Sequence, residues 1–194
     1  LMKKVTQEDL LSPAEYEAQR PTIRQQIIAL KKRRRVAIGD LVTLIFENRE
    51  TIIFQIQEMI RTERIFDAEK IQEEIDVYNA LLPDDNELSA TLFIEITDSE
   101  RIEELLNSFQ EIDRSDTLSI RVGDQSIYAE FEDGHSKEDK ISAVHFVRFK
   151  TNAAFRERLE NLEIPGTLSV EHPHYQADVP ISREMSQEWL KDLK

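Results

Sequence analysis

The spacing of apolar residues changes period along this chain, and each change marks a different kind of element. Ser12-Pro13-Ala14-Glu15 reads as a helix start: Ser12 can cap, Pro13 suits the first helical position and Glu15 completes a capping box. Pro21 is expected to break or restart that helix. Ile23, Ile27 and Leu30 then form one apolar stripe, and the basic run 31–35 closes the segment, where cations suit the negative end of the macrodipole. Past Gly39-Asp40, the run LVTLIFE is β-branched and almost wholly apolar, which predicts a buried strand over 41–47. Asn48 can cap the next helix, and Asp67 another whose Ile71, Ile75, Tyr78 and Leu82 share a face.

Pro83-Asp84-Asp85-Asn86 separates this helix-rich front from a back half where alternation dominates. A strand is predicted over 88–96. Thr97-Asp98-Ser99-Glu100 reads as a capping box for an amphipathic helix carrying Ile102, Leu105, Leu106 and Phe109. TLSIRV and SIYAEF flank Gly123-Asp124-Gln125 as a hairpin, and ISAVHFVRF is a further strand. Asn152 caps a short helix through Leu159, TLSVEH and YQADVPI surround Pro173, and Ser182 caps a last helix with Met185, Trp189 and Leu193 on one face. The expected class is α+β: a helix-rich N-terminal half packed on a mostly antiparallel sheet with flanking helices. One domain over 1–194 is expected, with 1–85 as the front half and 86–194 as the back.

The segment FENRETIIFQIQEMIR carries the least ordinary pattern. On a helical wheel of about 100° per residue, Ile52, Ile53, Ile56, Met59 and Ile60 share one broad face. Phe54 and Ile65 fall on a second stripe, with Glu58 and Arg61 between them. A helix that is apolar on two sides is usually covered on both. Glu58 and Arg61 stand three apart, so they can pair on the helix surface. Three readings follow: a half-exposed salt bridge, a buried structural pair, or a pocket. In a pocket, Glu58 would move a proton and Arg61 would hold a carboxylate or phosphate. Glu47, Asn48, Arg49 and Gln55 complete the candidate pocket. No catalytic residue is assigned.

Net charge is −14, and it is unevenly spread. Residues 1–35 hold nine Lys/Arg against four Asp/Glu, a surplus of +5, and the remainder carries −19. An acidic body repels phosphates, so nucleic acid is not an expected partner. For the basic run three readings stand: a solvated helix end, docking onto the acidic body, or contact with an acidic partner or phosphate ligand. The chain has no Cys, which removes thiolate metal sites and cysteine nucleophiles. No apolar run approaches the roughly 18–20 residues of a membrane span, and LMKKVTQEDL lacks the apolar core of a signal peptide. A cytoplasmic location is the expectation.

Other chemistries find little footing. Of four histidines, His172 and His174 flank Pro173 and could join His145 as three imidazoles for zinc or iron, but no ligand spacing repeats. The glycines are few and isolated, so no phosphate loop or dinucleotide fingerprint exists, and there is no GxSxG elbow. No cofactor is expected.

Arg34-Arg35-Val36, Thr43 through Asn48 and Gln55 through Arg61 follow one another in an order that resembles the uncharacterised bacterial family catalogued as domain of unknown function 3501. VHFVRF and EHPHYQA are similar to later segments of that family. The resemblance implies proteins encoded beside rubrerythrin-like and iron–sulfur oxidoreductase proteins, and hence a role near redox or peroxide defence. With no Cys and no cofactor motif, this chain would be an accessory component there, not the redox centre. The leading expectation is a non-catalytic interaction protein with a protein partner, a homodimer among its assemblies. A small-molecule binder or enzyme using Glu58 and Arg61 is the alternative, and a histidine-ligated metal protein the second.

Overall fold

The computed structural model describes residues 2–132, 136–137 and 140–194; His135 lies outside them. Among the described residues, six α-helices surround an eight-stranded antiparallel sheet, so the α+β expectation holds. The strands are β1 (Arg35–Ile38), β2 (Val42–Phe46), β3 (Glu87–Ile94), β4 (Leu118–Val122), β5 (Gln125–Phe131), β8 (Val144–Lys150), β9 (Gly166–His172) and β10 (Tyr175–Pro180). Their order is β1-β2-β3-β8-β5-β4-β9-β10. The short β6 (Ser136–Lys137) and β7 (Lys140–Ile141) pair separately.

The sheet curls until its outermost strands meet. The Tyr175 hydroxyl donates to the Ile38 carbonyl and accepts from the Leu41 N–H at 3.1 Å, bridging β10 to the β1–β2 turn. Gly39 turns that corner at φ +72, and a Cβ there would lie 2.3 Å from the Tyr175 hydroxyl. Only glycine meets both demands. The strand β1 is an addition to the predicted elements: Val36 and Ile38 were too few to show alternation beside the basic run.

Alternate residues point inward, among them Leu44, Phe46, Leu92, Ile120, Phe149 and Leu168, all fully buried. α5 (Ala153–Glu160) and α6 (Arg183–Asp192) close this core with Phe155 and Trp189, and the Trp189 ring meets Phe46 edge-on at 4.8 Å. The outer face of β2, β3 and β8 is covered by α2 (Arg49–Glu63) and α3 (Ala68–Asn79), whose Ile52, Ile56 and Ile75 make a second core against Phe146.

Two local expectations are corrected. α1 (Pro13–Arg34) runs through Pro21 without a break. Pro21 and Glu17, whose carbonyl loses its donor, are both exposed, so water can supply the missing partner. The box at 97–100 forms as a 3₁₀ turn (Ser99–Arg101) capped by Asp98, leading into the short α4 (Ile102–Ser108).

Candidate functional site

The predicted pocket residues all sit on or just before α2, but α1 decides their partners. Asn48 caps α2 as its pattern predicts, its side chain accepting from the Thr51 N–H at 3.0 Å. Glu47, one residue earlier, is buried; its carboxylate accepts from the hydroxyls of Thr51 and Thr91, the latter at 2.9 Å. Both donors come from opposite sides, one from the helix and one from β3. Arg49 turns away to the N-terminal segment, pairing with Asp9 at 2.6 Å and donating to the Lys3 carbonyl at 3.1 Å. Arg49, followed by the Thr6 N–H, holds the Asp9 carboxyl down at about 2. Glu47, Asn48 and Arg49 therefore fix the start of α2 and its flanking chain.

Glu58 and Arg61 do not pair with each other. Arg20 of α1 forks onto Glu58, Nη2 reaching Oε1 at 2.8 Å and Nε reaching Oε2 at 3.0 Å. The Tyr16 hydroxyl adds a third donor at 3.0 Å. Arg61 pairs instead with Glu17, one position along α1 from Tyr16. A partner on a second helix can fork, which a neighbour three places along the same helix does less readily. The Arg20 hydrogen bonds hold the Glu58 carboxyl below its usual range, outweighing partial burial. Burial first, then Glu58, pushes the Tyr16 phenol up. A carboxylate ionised and held by three donors is a tie between helices, poorly suited to moving protons.

The tie divides a groove. On one side lies a hollow of about 380 Å³ lined by Lys31, Phe54, Gln55, Glu58, Met59 and Tyr78. The Lys31 ammonium stands 5.5 Å from the centre of the Phe54 ring, so the second apolar stripe of α2 is met by a cation. On the other side lies a hollow of about 180 Å³ between Tyr16, Gln57, Ile60, Arg61, Arg64 and Phe66. It adjoins another of about 460 Å³ that shares Pro13, Ile60 and Phe66. Phe66 is 73% exposed there.

Sequence reasoning missed several participants. Gln57 is buried and binds both sides of the Leu11 peptide, accepting from its N–H at 2.6 Å and donating to its carbonyl at 3.4 Å. Its place on the apolar face of α2 was the available signal. Arg34 is wholly buried: it donates to the carbonyls of Phe46 and Glu47 at 2.7 and 3.2 Å, to Glu188 at 3.1 Å, and to Asp192. Arg33 reaches the other oxygen of Glu188 at 3.0 Å, and Arg35 pairs with Glu95. Much of the basic run thus docks onto the molecule's own acids. Burial pushes the Asp192 carboxyl up to about 6, against the pull of Arg34. Glu188 and Asp192, four apart beside Trp189, were the legible half of this cluster.

The His172 and His174 rings stand 5.9 Å apart, but the three candidate imidazoles form no metal-holding group among the described residues. His145 on β8 is buried edge-on against Phe131, with Nε2 2.7 Å from the Ser142 carbonyl. His172 donates from Nε2 to the Gln110 carbonyl at 2.6 Å and accepts at Nδ1 from the His174 N–H at 3.1 Å, so both its nitrogens are engaged by backbone. His174 sits exposed in the β9–β10 turn. Among the described residues, no group of three His, Asp or Glu side chains is placed to hold a metal ion.

The family model for proteins of unknown function, DUF3501, matches residues 4–193. The chain belongs to this family. No curated protein matches it. A crystal structure of a protein of unknown function from Burkholderia pseudomallei K96243 is similar over 99% of this chain and 100% of that one, at 34% identity and a TM-score of 0.91. At that likeness this DUF3501 chain and the Burkholderia protein share one fold throughout. Neither match carries an assigned activity. Among the described residues, no helix is long and apolar enough to cross a membrane.

Proposed function

We propose that this DUF3501 protein is a non-catalytic accessory protein that works by association, through the face formed by the start of α1, the end of α2 and the turn to α3. The observation that carries this is Phe66, held 73% exposed at the rim of hydrocarbon-walled hollows flanked by Arg61 and Arg64. An exposed aromatic ring with arginines beside a cavity is the usual make-up of an interface hot spot. The family resemblance supplies two candidate partner classes, rubrerythrin-like and iron–sulfur oxidoreductase proteins. The enzyme reading has less support, since Glu58 is already occupied by Arg20 and Tyr16.

The test is co-elution of the full chain with purified rubrerythrin-like and iron–sulfur oxidoreductase proteins from the same genome, and with itself, for wild type and Phe66→Asp. A complex formed by wild type and lost in the variant supports the reading. Association that survives the variant unchanged, or a wild-type chain that associates with nothing, rejects it.

A further inference from the structure

The docking face carries opposite charges in its two adjoining hollows. Arg64 lines the smaller hollow and makes no ion pair among the described residues. Glu15 lines the adjoining one. Pro13, Ile60 and Phe66 belong to both and so stand between them. Arg61 and Glu17 neutralise each other. The face therefore carries a cation and an anion in adjoining hollows, with the protruding ring on the rim of both.

Such a pattern is complementary to itself after a half-turn. Rotation about an axis beside Phe66 sets Arg64 of one copy against Glu15 of the other, twice, and brings each ring to the other's hollow. A two-fold interface needs one patch that fits its own image.

Resting on the reading above, we propose that the occupant of this face is a second copy of the chain, joined by reciprocal Arg64–Glu15 pairs around Phe66. The partner is thereby committed: an identical protomer in a closed two-fold dimer.

Sedimentation of the full chain, followed up to the highest soluble concentration, tests it. Wild type dimerises with rising concentration. Arg64→Glu and Glu15→Arg each raise the dimer dissociation constant by at least about tenfold, because each sets like charges together twice. The double variant restores dimerisation. Glu15 also accepts from the Ser12 N–H at 3.0 Å, so helix content is measured alongside. That capping loss persists in the double variant and cannot produce the rescue.

A monomeric wild type, or charge reversals without rescue, overturns the proposal. If Phe66→Asp abolishes binding of a different protein while wild type stays monomeric, the dimer fails and the association reading stands. If that variant alters no association, both fail.

Discussion

Arg20 reaches across from α1 to grip both carboxylate oxygens of Glu58 on α2, at 2.8 and 3.0 Å, joining residues 38 positions apart. This contact ties the two helices where they pack, and it divides the groove beside them. It also replaces the local pair that the spacing of Glu58 and Arg61 offers.

Breaking the tie costs stability in a pH-dependent way. Both side chains are partly exposed, at 22% and 25%, so the expected cost lies between the surface and buried limits. Arg20→Ala should destabilise by about 1–2 kcal/mol and Tyr16→Phe by about 1 kcal/mol. Arg20 lowers the Glu58 pKa, so the wild type has this contribution above pH 4.5, the ordinary glutamate value, and loses it as pH falls through the lower folded value. Glu58→Gln removes that acid-side loss. Urea unfolding at neutral and acid pH checks it; identical pH slopes for variant and wild type would refute the tie.

Arg34 serves two backbone carbonyls, those of Phe46 and Glu47, and two carboxylates from full burial. Arg34→Ala strands Asp192 and leaves Glu188 to Arg33 and Lys191, and should cost about 3–5 kcal/mol. Arg34→Lys restores one charge but not the fork, so it should recover less than half of that. Guanidinium unfolding followed by the buried Trp189 measures both. Full recovery by lysine would show that charge alone, without geometry, is what the cluster needs.

Asp192 works in the opposite sense to Glu58. Its folded pKa is about 6 against an ordinary 3.8, because burial opposes its charge more than Arg34 favours it. The folded state therefore holds the proton more tightly, and stability falls as pH rises from about 4 to about 6, by roughly 3 kcal/mol at most. Asp192→Asn keeps a carbonyl for Arg34 and removes the titration. The variant should gain on wild type steadily across that window in paired unfolding experiments. A constant difference across it would count against the shifted carboxyl.

Pro21 is carried inside a continuous helix, at the cost of one hydrogen bond. Pro21→Ala restores the Glu17 partner and should stabilise the protein by about 1–3 kcal/mol. Thermal melts give the sign directly; a destabilised variant would show that the proline sets a bend the fold requires.

Much of the fold was legible from local signals. Asn48, Asp67, Asn152 and Ser182 each cap the helix assigned to them, because a cap is a contract between residues two or three apart. The strands at 42–46, 87–94, 118–122, 125–131 and 144–150 follow their alternation or apolar runs. β1 was missed because it is short and charged at its start, and it is stabilised by pairing with β2 rather than by its own pattern. The family, too, was legible, carried by the ordered segments from Arg34 to Arg61.

The sequence grouped the candidate residues on one stretch of chain but did not give their partners. Gln55 and Glu58 do line a hollow, and Arg61 lines its neighbour. Their bonds are set by Arg20, Tyr16 and Glu17, which come from a helix whose crossing no local rule describes.

The sequence by itself determined most of the helical and extended segments, where most of the helices begin, and that no thiol chemistry is available. Those properties depend on neighbours within a few residues and on composition. Only the tertiary structure decided which charges meet: that Arg34 is buried against Glu188 and Asp192, that Glu58 turns to α1, and that His145, His172 and His174 form no metal-holding group among the described residues. Long-range ion pairing depends on side chains more than thirty positions distant, whose approach is set by helix packing and by the curl of the sheet. No spacing along the chain encodes that approach.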